Sequence, residues 1–331
     1  MLVKIRRGWK LRESEATPEG VYRDRRRLLK LAAGGPLLLA GGGLLAACDD
    51  APAQQVAAAD TTPDPSAGLY PVQRNLRYRL DRDVTDEALA TTYNNYYEFG
   101  SSKNIWPKAQ VLPIRPWTVS IEGMVEKPME IGVDDLLAKM PLEERLYRLR
   151  CVEAWSMAVP WSGFALKALV DLARPLGSAK YLKMVTFENP EIAIGQKASW
   201  YPWPYIEGLT IAEATNELAF IATGLYGKTM PKQNGSPLRL AVPWEYGFKS
   251  IKGIVRFEFT DQRPKSFWEV VQGAEYGFWA NVNPEVPHPR WPQRTERVLG
   301  TEERVPTLLY NGYGEFGAGL YDGMEGARLF M

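Results

Sequence analysis

A thiol and a carboxylate two residues apart, Cys151 and Glu153, stand in the stretch RLRCVEAWSMAVPW, residues 148–161. A thiolate serves as a nucleophile or a soft metal ligand, and a carboxylate beside it can pass a proton. If the backbone stays extended past Cys151, both side chains share one face, and desolvation would raise the Glu153 pKa toward that of a proton donor. The plainer alternative packs Cys151 as a small apolar residue and pairs Glu153 with Arg148 or Arg150 at a strand end.

Counting narrows the chemistry. The chain of 331 residues holds two cysteines, Cys48 and Cys151, and one histidine, His288. A Ser-His or Cys-His pair would need His288, which sits in the proline-bound segment VPHPRWP and reads as structural. A histidine-rich metal centre, an iron–sulfur cluster and a CxxCH haem site are excluded by the same count. No phosphate-binding GxxxxGK[ST] or strand-linked GxGxxG occurs. The net charge of +1 offers no footprint for nucleic acid, so none is expected as a partner.

What survives is a lone cysteine, which can hold a soft, high-valent metal if an organic cofactor supplies the other ligands. Molybdopterin brings two sulfurs of its own, and its pterin and phosphate need hydrogen bonds and a cation. Residues 93–99, YNNYYEF, offer amides, phenols and a carboxylate, and residues 234–239, NGSPLR, pair an amide with an arginine. Residues 247–252, GFKSIK, offer backbone N–H groups and two lysines as a phosphate cradle. Alone, Asn94-Asn95 reads as a turn, Arg239 and Lys252 read as surface charges, and Trp155 and Trp161 as core aromatics or pocket walls.

Strands must position these groups. Alternation predicts strands over 117–121, 145–151, 181–187, 218–223, 238–242 and 254–260, with Cys151 ending the second on the face of Tyr147 and Leu149. Helices are predicted over 133–140, stopped by Pro141, and over 164–172, closed by Arg174-Pro175. Strands outnumber irregularly placed helices, so the expected class is a single mixed α+β, β-rich domain. Hydrophobic residues at 45% and charged residues at 24% suit a soluble domain with a core.

The ends carry other signals. Arg25-Arg26-Arg27-Leu28-Leu29-Lys30 resembles a twin-arginine export pattern, and the glycine-rich run 31–47 suits a cleaved signal better than an anchor. That route carries proteins already folded, often around a cofactor. Leu45-Ala46-Ala47-Cys48 matches a lipoprotein processing box, so Cys48 either carries a lipid or is an incidental cysteine at a cleavage site. The expected organisation is a signal over 1–47, a flexible Ala/Pro/Asp/Thr linker over 48–68 and one domain over 69–331. Export to the periplasm, with a tether to the inner membrane if Cys48 is lipidated, leaves Cys151 without a disulfide partner.

The surroundings of Cys151, with Asn94-Asn95, PKQNG at 231–235, WEYGFK at 244–249 and FWANVNP at 278–284, resemble the sulfite-oxidase-type molybdopterin family. Within it they are most similar to the catalytic subunits of the bacterial periplasmic protein-methionine-sulfoxide reductases, over the chain from about Leu69 onward. The resemblance implies a sulfite-oxidase-like molybdopterin-binding fold, with Cys151 ligating molybdenum. It further implies that Asn94, Tyr97, Glu98, Thr186, Asn234, Arg239, Ser250, Ile251 and Lys252 hold the molybdopterin. The implied activity is reduction of methionine sulfoxide in oxidised periplasmic proteins, with electrons from a haem-containing membrane subunit and Glu153 as a candidate catalytic acid. Two other readings stay open: a sulfite or small-anion oxidase on the same fold, and a non-enzymatic lipoprotein binding module with Cys151 merely buried.

Overall fold

The computed structural model describes residues 64–324 and 327–331. The expected signal over 1–47 and the linker over 48–63 lie outside the described residues. Residues 65–69 form a short 3-10 turn, capped by the Asp64 side chain and tied to the body by the Arg115–Asp64 ion pair at 3.1 Å. Ordered structure therefore includes residues assigned above to the linker.

Twelve strands form among the described residues: β1 (Thr118–Gly123), β2 (Met129–Gly132), β3 (Glu143–Cys151), β4 (Trp155–Ala165), β5 (Tyr181–Thr186), β6 (Ile206–Thr210), β7 (Phe220–Leu225), β8 (Lys228–Thr229), β9 (Arg239–Ala241), β10 (Ile254–Thr260), β11 (Thr295–Val298) and β12 (Arg304–Pro306). One sheet runs β2-β1-β10-β5-β6, antiparallel except where β1 lies parallel to β10. The other runs β12-β11-β4-β7-β8, with β3 beside β4 and β9 beside β7. Helices are short and few, as a mixed α+β domain requires. None among the described residues is long and apolar enough to cross a membrane.

β4 is the spine of the second sheet. It pairs with β3 from Trp155 to Gly163, with β11 at Trp155 and Ser156, and with β7 from Trp161 to Ala165. Neighbours on both edges and layers on both faces bury every residue from Trp155 to Phe164. Such a strand carries no alternation, and Pro160 inside it argues against a strand locally. That explains a miss: the helix expected from residue 164 begins at Leu166, because Phe164 and Ala165 complete β4 opposite Ile221 and Phe220. The other expected elements form with small shifts of their ends, and β10 has the expected bounds.

Gly163 sits at a register shift where β4 meets β7. A Cβ there would lie 2.0 Å from the Ile221 carbonyl oxygen and 2.9 Å from the Ala222 Cα, so the two backbones approach only because the side chain is absent. Gly163→Ala is expected to lower stability by about 1–3 kcal/mol, the usual cost of overpacking a core. Thermal unfolding should show a lower Tm, and an unchanged Tm would mean the strands can separate without loss.

Candidate active site

β3 delivers Cys151 to the base of a cleft. The chain then reverses through Val152-Glu153-Ala154, with Ala154 at φ 62° and its N–H donating to the Cys151 carbonyl at 3.0 Å, and Trp155 pairs back opposite Cys151. The Cys151 and Val152 carbonyls at this turn are both held. The Arg150 guanidinium donates to Cys151 O, while Trp291 Nε1 and Gln293 Nε2 both donate to Val152 O at 2.8 Å. Arg150, 0% exposed, also binds Glu296 at 3.0 Å, Gln293 Oε1 at 2.8 Å and Thr307 Oγ1 at 3.1 Å. Arg150, Trp291 and Gln293 thus fix the backbone under the thiol, and Gln293, Glu296 and Thr307 fix Arg150.

Because the chain turns rather than staying extended, Glu153 does not share a strand face with Cys151. Its carboxylate forms an ion pair with Lys103 and accepts from Trp155 Nε1 at 3.0 Å. It pairs with neither Arg148, which binds Asp81, nor Arg150. Burial pushes the Glu153 carboxyl up, but the hydrogen bonds and charge of Lys103, with help from Trp155 and Asn95, outweigh it and hold the group below its ordinary range. The expected upward shift is therefore corrected: Glu153 is held ionised. Lys103 also donates to Asn95 Oδ1 at 2.5 Å, which turns Asn95 Nδ2 toward Cys151 Sγ at 3.5 Å.

Burial pushes the Cys151 thiol up to about 12, the Glu153 charge acting in the same direction against Lys103 and Arg150. A thiol in such a setting is inert by itself, whereas a coordinated metal cation deprotonates it outright.

Two adjoining hollows are lined by Cys151, and a third meets them at Gly247. The main cleft, about 550 Å³, is walled by Tyr97, Glu98, Ile251 and Lys252 among others. The second, about 370 Å³, shares Cys151 and Lys252 with it and adds Asn94, Asn234 and Arg239. The third, about 240 Å³, meets both at Gly247 and carries Ser250 and Glu245. Thr186 alone among the expected site residues lines none of them; its hydroxyl donates to Lys252 O at 2.7 Å and Gly253 O at 3.2 Å, holding the turn that presents Lys252.

The polar atoms of the second hollow are unusual for a protein interior. Asn94 and Asn234 both donate their amide N–H groups to Ala90 O, at 3.4 and 3.0 Å, which leaves both Oδ1 acceptors buried without partners. Arg239 is buried and Lys252 half-buried, yet neither forms an ion pair among the described residues. Burial pushes Arg239 down to about 10. Burial and the Arg239 charge push Lys252 down, while burial pushes nearby Glu98 up. Unpaired acceptors and unpaired buried cations each cost free energy, so a ligand with N–H donors and negative charge fits here. A reduced pterin with a phosphate and two thiolates has that donor set, and Cys151 Sγ supplies the protein ligand for its metal.

Several residues of the site carried no sequence signal. Lys103 comes from an undistinguished SSKN loop, and Tyr205, Trp268 and Tyr276 enter the cleft wall from remote segments. Glu245 lies in the WEYGFK motif without an assigned role; both its oxygens are buried and unpartnered, and burial raises its pKa well above the carboxylate range. His288 is buried, stacked on Trp291 at 4.1 Å and 3.3 Å from Glu275, in keeping with a structural role.

Comparison with known proteins agrees with this geometry. Residues 107–268 match the family model described as an oxidoreductase molybdopterin binding domain. A protein of Xanthomonas campestris pv. campestris, the protein-methionine-sulfoxide reductase catalytic subunit MsrP, is 44% identical over 335 residues, covering 99% of this chain and 100% of that protein. Its counterpart of the same name in Xanthomonas axonopodis pv. citri is 44% identical over 327 residues, covering 97% of this chain and 98% of that protein. Among solved structures, the sulfane dehydrogenase SoxCD of Paracoccus pantotrophus overlaps 48% of this chain and 41% of its own at 20% identity and a TM-score of 0.40, an overlap too partial to decide anything.

Lys252 gives the site a testable signature. In protein freed of any bound group, Lys252→Met is expected to raise stability by about 1–2 kcal/mol at pH 6, because it removes a half-buried, unpaired charge. A lysine pKa depressed by folding costs stability below the folded pKa, and the cost fades as pH rises toward the ordinary 10.5. Denaturant unfolding at pH 6 and pH 9 should show the gain shrinking, whereas a loss at pH 6 would mean the charge is already compensated.

Proposed function

The chain belongs to the family of protein-methionine-sulfoxide reductase catalytic subunits, and from that membership we propose that it is an exported repair enzyme, reducing methionine sulfoxide in periplasmic proteins with electrons from a haem-containing membrane partner. Its molybdopterin-binding oxidoreductase domain is the catalytic part. Methionine oxidation is a common lesion in an oxidising compartment, and it puts a polar group into apolar packing. Converting the sulfoxide to the thioether consumes two electrons and two protons and releases water.

The observation that carries the proposal is the pairing of a fixed, lone thiol with unpartnered amide oxygens and unpaired cations around one cleft. Cys151 would hold the molybdenum. Asn94 and Asn234 would accept from the pterin, Arg239 and Lys252 would meet negative charge, and Tyr97, Glu98, Ser250 and Ile251 would wall it in, with Thr186 fixing the Lys252 turn. Bound there, the molybdenum cofactor supplies two-electron oxygen-atom transfer. The protein would position it beneath an aromatic wall and hold the Glu153 carboxylate ionised beside it through the Lys103 ion pair.

Other features support the finer parts of the reading. The relatives are named as catalytic subunits, which implies a partner subunit, and beyond Cys151 and His288 the expected mature domain has no cysteine or histidine for a second redox centre. The Arg25–Lys30 pattern supports twin-arginine export, and the Cys48 box supports a lipid tether in addition to contact through the partner. Against sulfite oxidation, the wall of the main cleft carries no arginine among the described residues, and Arg150 spends its guanidinium on Glu296, Gln293 and Thr307.

Metal analysis tests the reading directly. The purified protein should contain about one molybdenum per chain, and Cys151→Ser should lose nearly all of it while keeping a cooperative unfolding transition. With a reduced viologen dye as electron donor the wild type should reduce methionine sulfoxide, and with ferricyanide as electron acceptor it should leave sulfite untouched. Full molybdenum retention by Cys151→Ser would remove Cys151 as the ligand, and sulfite oxidation without sulfoxide reduction would reverse the reaction assigned.

A further inference from the structure

The aromatic wall of the cleft does not stop at its mouth. Tyr97, Trp268, Tyr276 and Phe248 line the cavity, with ring centroids 4.9 Å apart for Tyr97–Trp268, 5.1 Å for Trp268–Tyr276 and 5.2 Å for Phe248–Tyr276. Outside the cavity, Tyr201 lies 6.0 Å from Tyr97 and 6.2 Å from Trp268, and Trp200 lies 6.0 Å from Tyr201. Trp200 is 77% exposed, the most exposed large hydrophobic side chain among the described residues. Its segment is nonetheless pinned: Tyr201 N and Trp203 Nε1 both donate to Ala198 O, at 3.1 and 3.2 Å, and Tyr205 OH donates to Phe248 O at 2.7 Å. A large indole exposed on a pinned segment beside an active-site mouth marks a contact surface, because its exposure is unfavourable and the backbone that carries it is already ordered.

We propose that Trp200 and Tyr201 form a docking strip for the oxidised polypeptide itself, gripping an extended segment next to the methionine sulfoxide that enters the cleft. The inference rests on the sulfoxide-reductase reading and adds to it the surface that distinguishes a protein substrate from a small sulfoxide. Continuity decides the occupant. The rings run unbroken from the cavity to Trp200, so what touches Trp200 is joined to what fills the cavity, as the main chain is joined to its own side chain. An electron donor has no such need to follow the wall. Flat aromatic faces also stack on peptide planes and on most side chains without reading sequence, which suits an enzyme that must accept damage wherever it occurs. Trp and Tyr dominate the energetics of contact surfaces for the same reason.

The test compares substrates on one preparation of the cofactor-loaded enzyme, with a reduced viologen dye as electron donor. For Trp200→Ala, kcat/KM on oxidised, unstructured casein is expected to fall about 10-fold, mainly through KM, while kcat/KM on dimethyl sulfoxide stays within a factor of about two. Trp200→Phe should restore most of the loss. An equal effect on both substrates, or none on casein, overturns the docking strip while leaving the sulfoxide reductase reading intact. A loss seen only when the membrane electron donor replaces the dye also overturns it and gives the surface to that donor. Wild-type protein that reduces neither substrate refutes the underlying reading, and the strip falls with it.

Discussion

The site depends on one buried guanidinium. Arg150 lies directly before Cys151 and has no exposed surface, yet it closes contacts to the Cys151 carbonyl, to Glu296 on β11 and to Gln293 and Thr307 on separate segments. Glu296 also binds Arg82 at 3.1 Å, which brings the segment before the first helix into the same network. A lone charge at this depth would be strongly destabilising, and only a nearly complete set of partners makes it tolerable. The consequence is geometric. The end of β3 cannot move without breaking several charge-assisted hydrogen bonds together, so the thiol is held where a metal would need it before any metal arrives.

The opposite arrangement holds on the far side of the cleft. Arg239 is buried almost as deeply as Arg150 and Lys252 is half-buried, but neither has a carboxylate to meet it, and Asn94 and Asn234 leave acceptors without donors. Within one domain, then, Arg150 is compensated where it supports the backbone, while Arg239 and Lys252 have no carboxylate partner where the second hollow opens. That contrast is the physical signature of a binding site: the protein tolerates a local loss of stability that a ligand relieves. The surrounding core bears the load, with Trp161, Trp244, Phe164, Phe220, Phe257 and Phe259 all buried in it.

How much of this was legible in the sequence varies with the kind of signal. β10 and β3 alternate or carry clear apolar runs, and they form where their residues say. β4 does not, since a strand covered on both faces has no period and Pro160 reads as a breaker, so the spine of the second sheet was invisible locally. Cys151 stood out by scarcity, and the Asn94, Asn234, Arg239 and Lys252 positions by motif. Thr186, expected as a cofactor contact, supports the backbone that presents Lys252. Lys103 had no signal at all, because its partner Glu153 lies 50 positions away in sequence and only the fold brings them together.

Glu153 shows why such a partner matters. From sequence, an acid two residues past a buried ligand looks like a proton donor whose pKa desolvation would raise. The turn at Val152-Glu153-Ala154 removes that premise by rotating the carboxylate out of the strand face, and Lys103 reverses the sign of the shift. Desolvation is still the largest single influence on the group, yet it loses to the sum of one cation and several hydrogen bonds. The carboxylate in the cleft wall is therefore held ionised. Asn95, fixed between Lys103 and Cys151, links that charged pair to the thiol, so the Lys103–Glu153 pair also sets which face of an amide the metal ligand meets. A side chain with no motif thereby fixes both the ionisation and the orientation of groups that the motifs did identify.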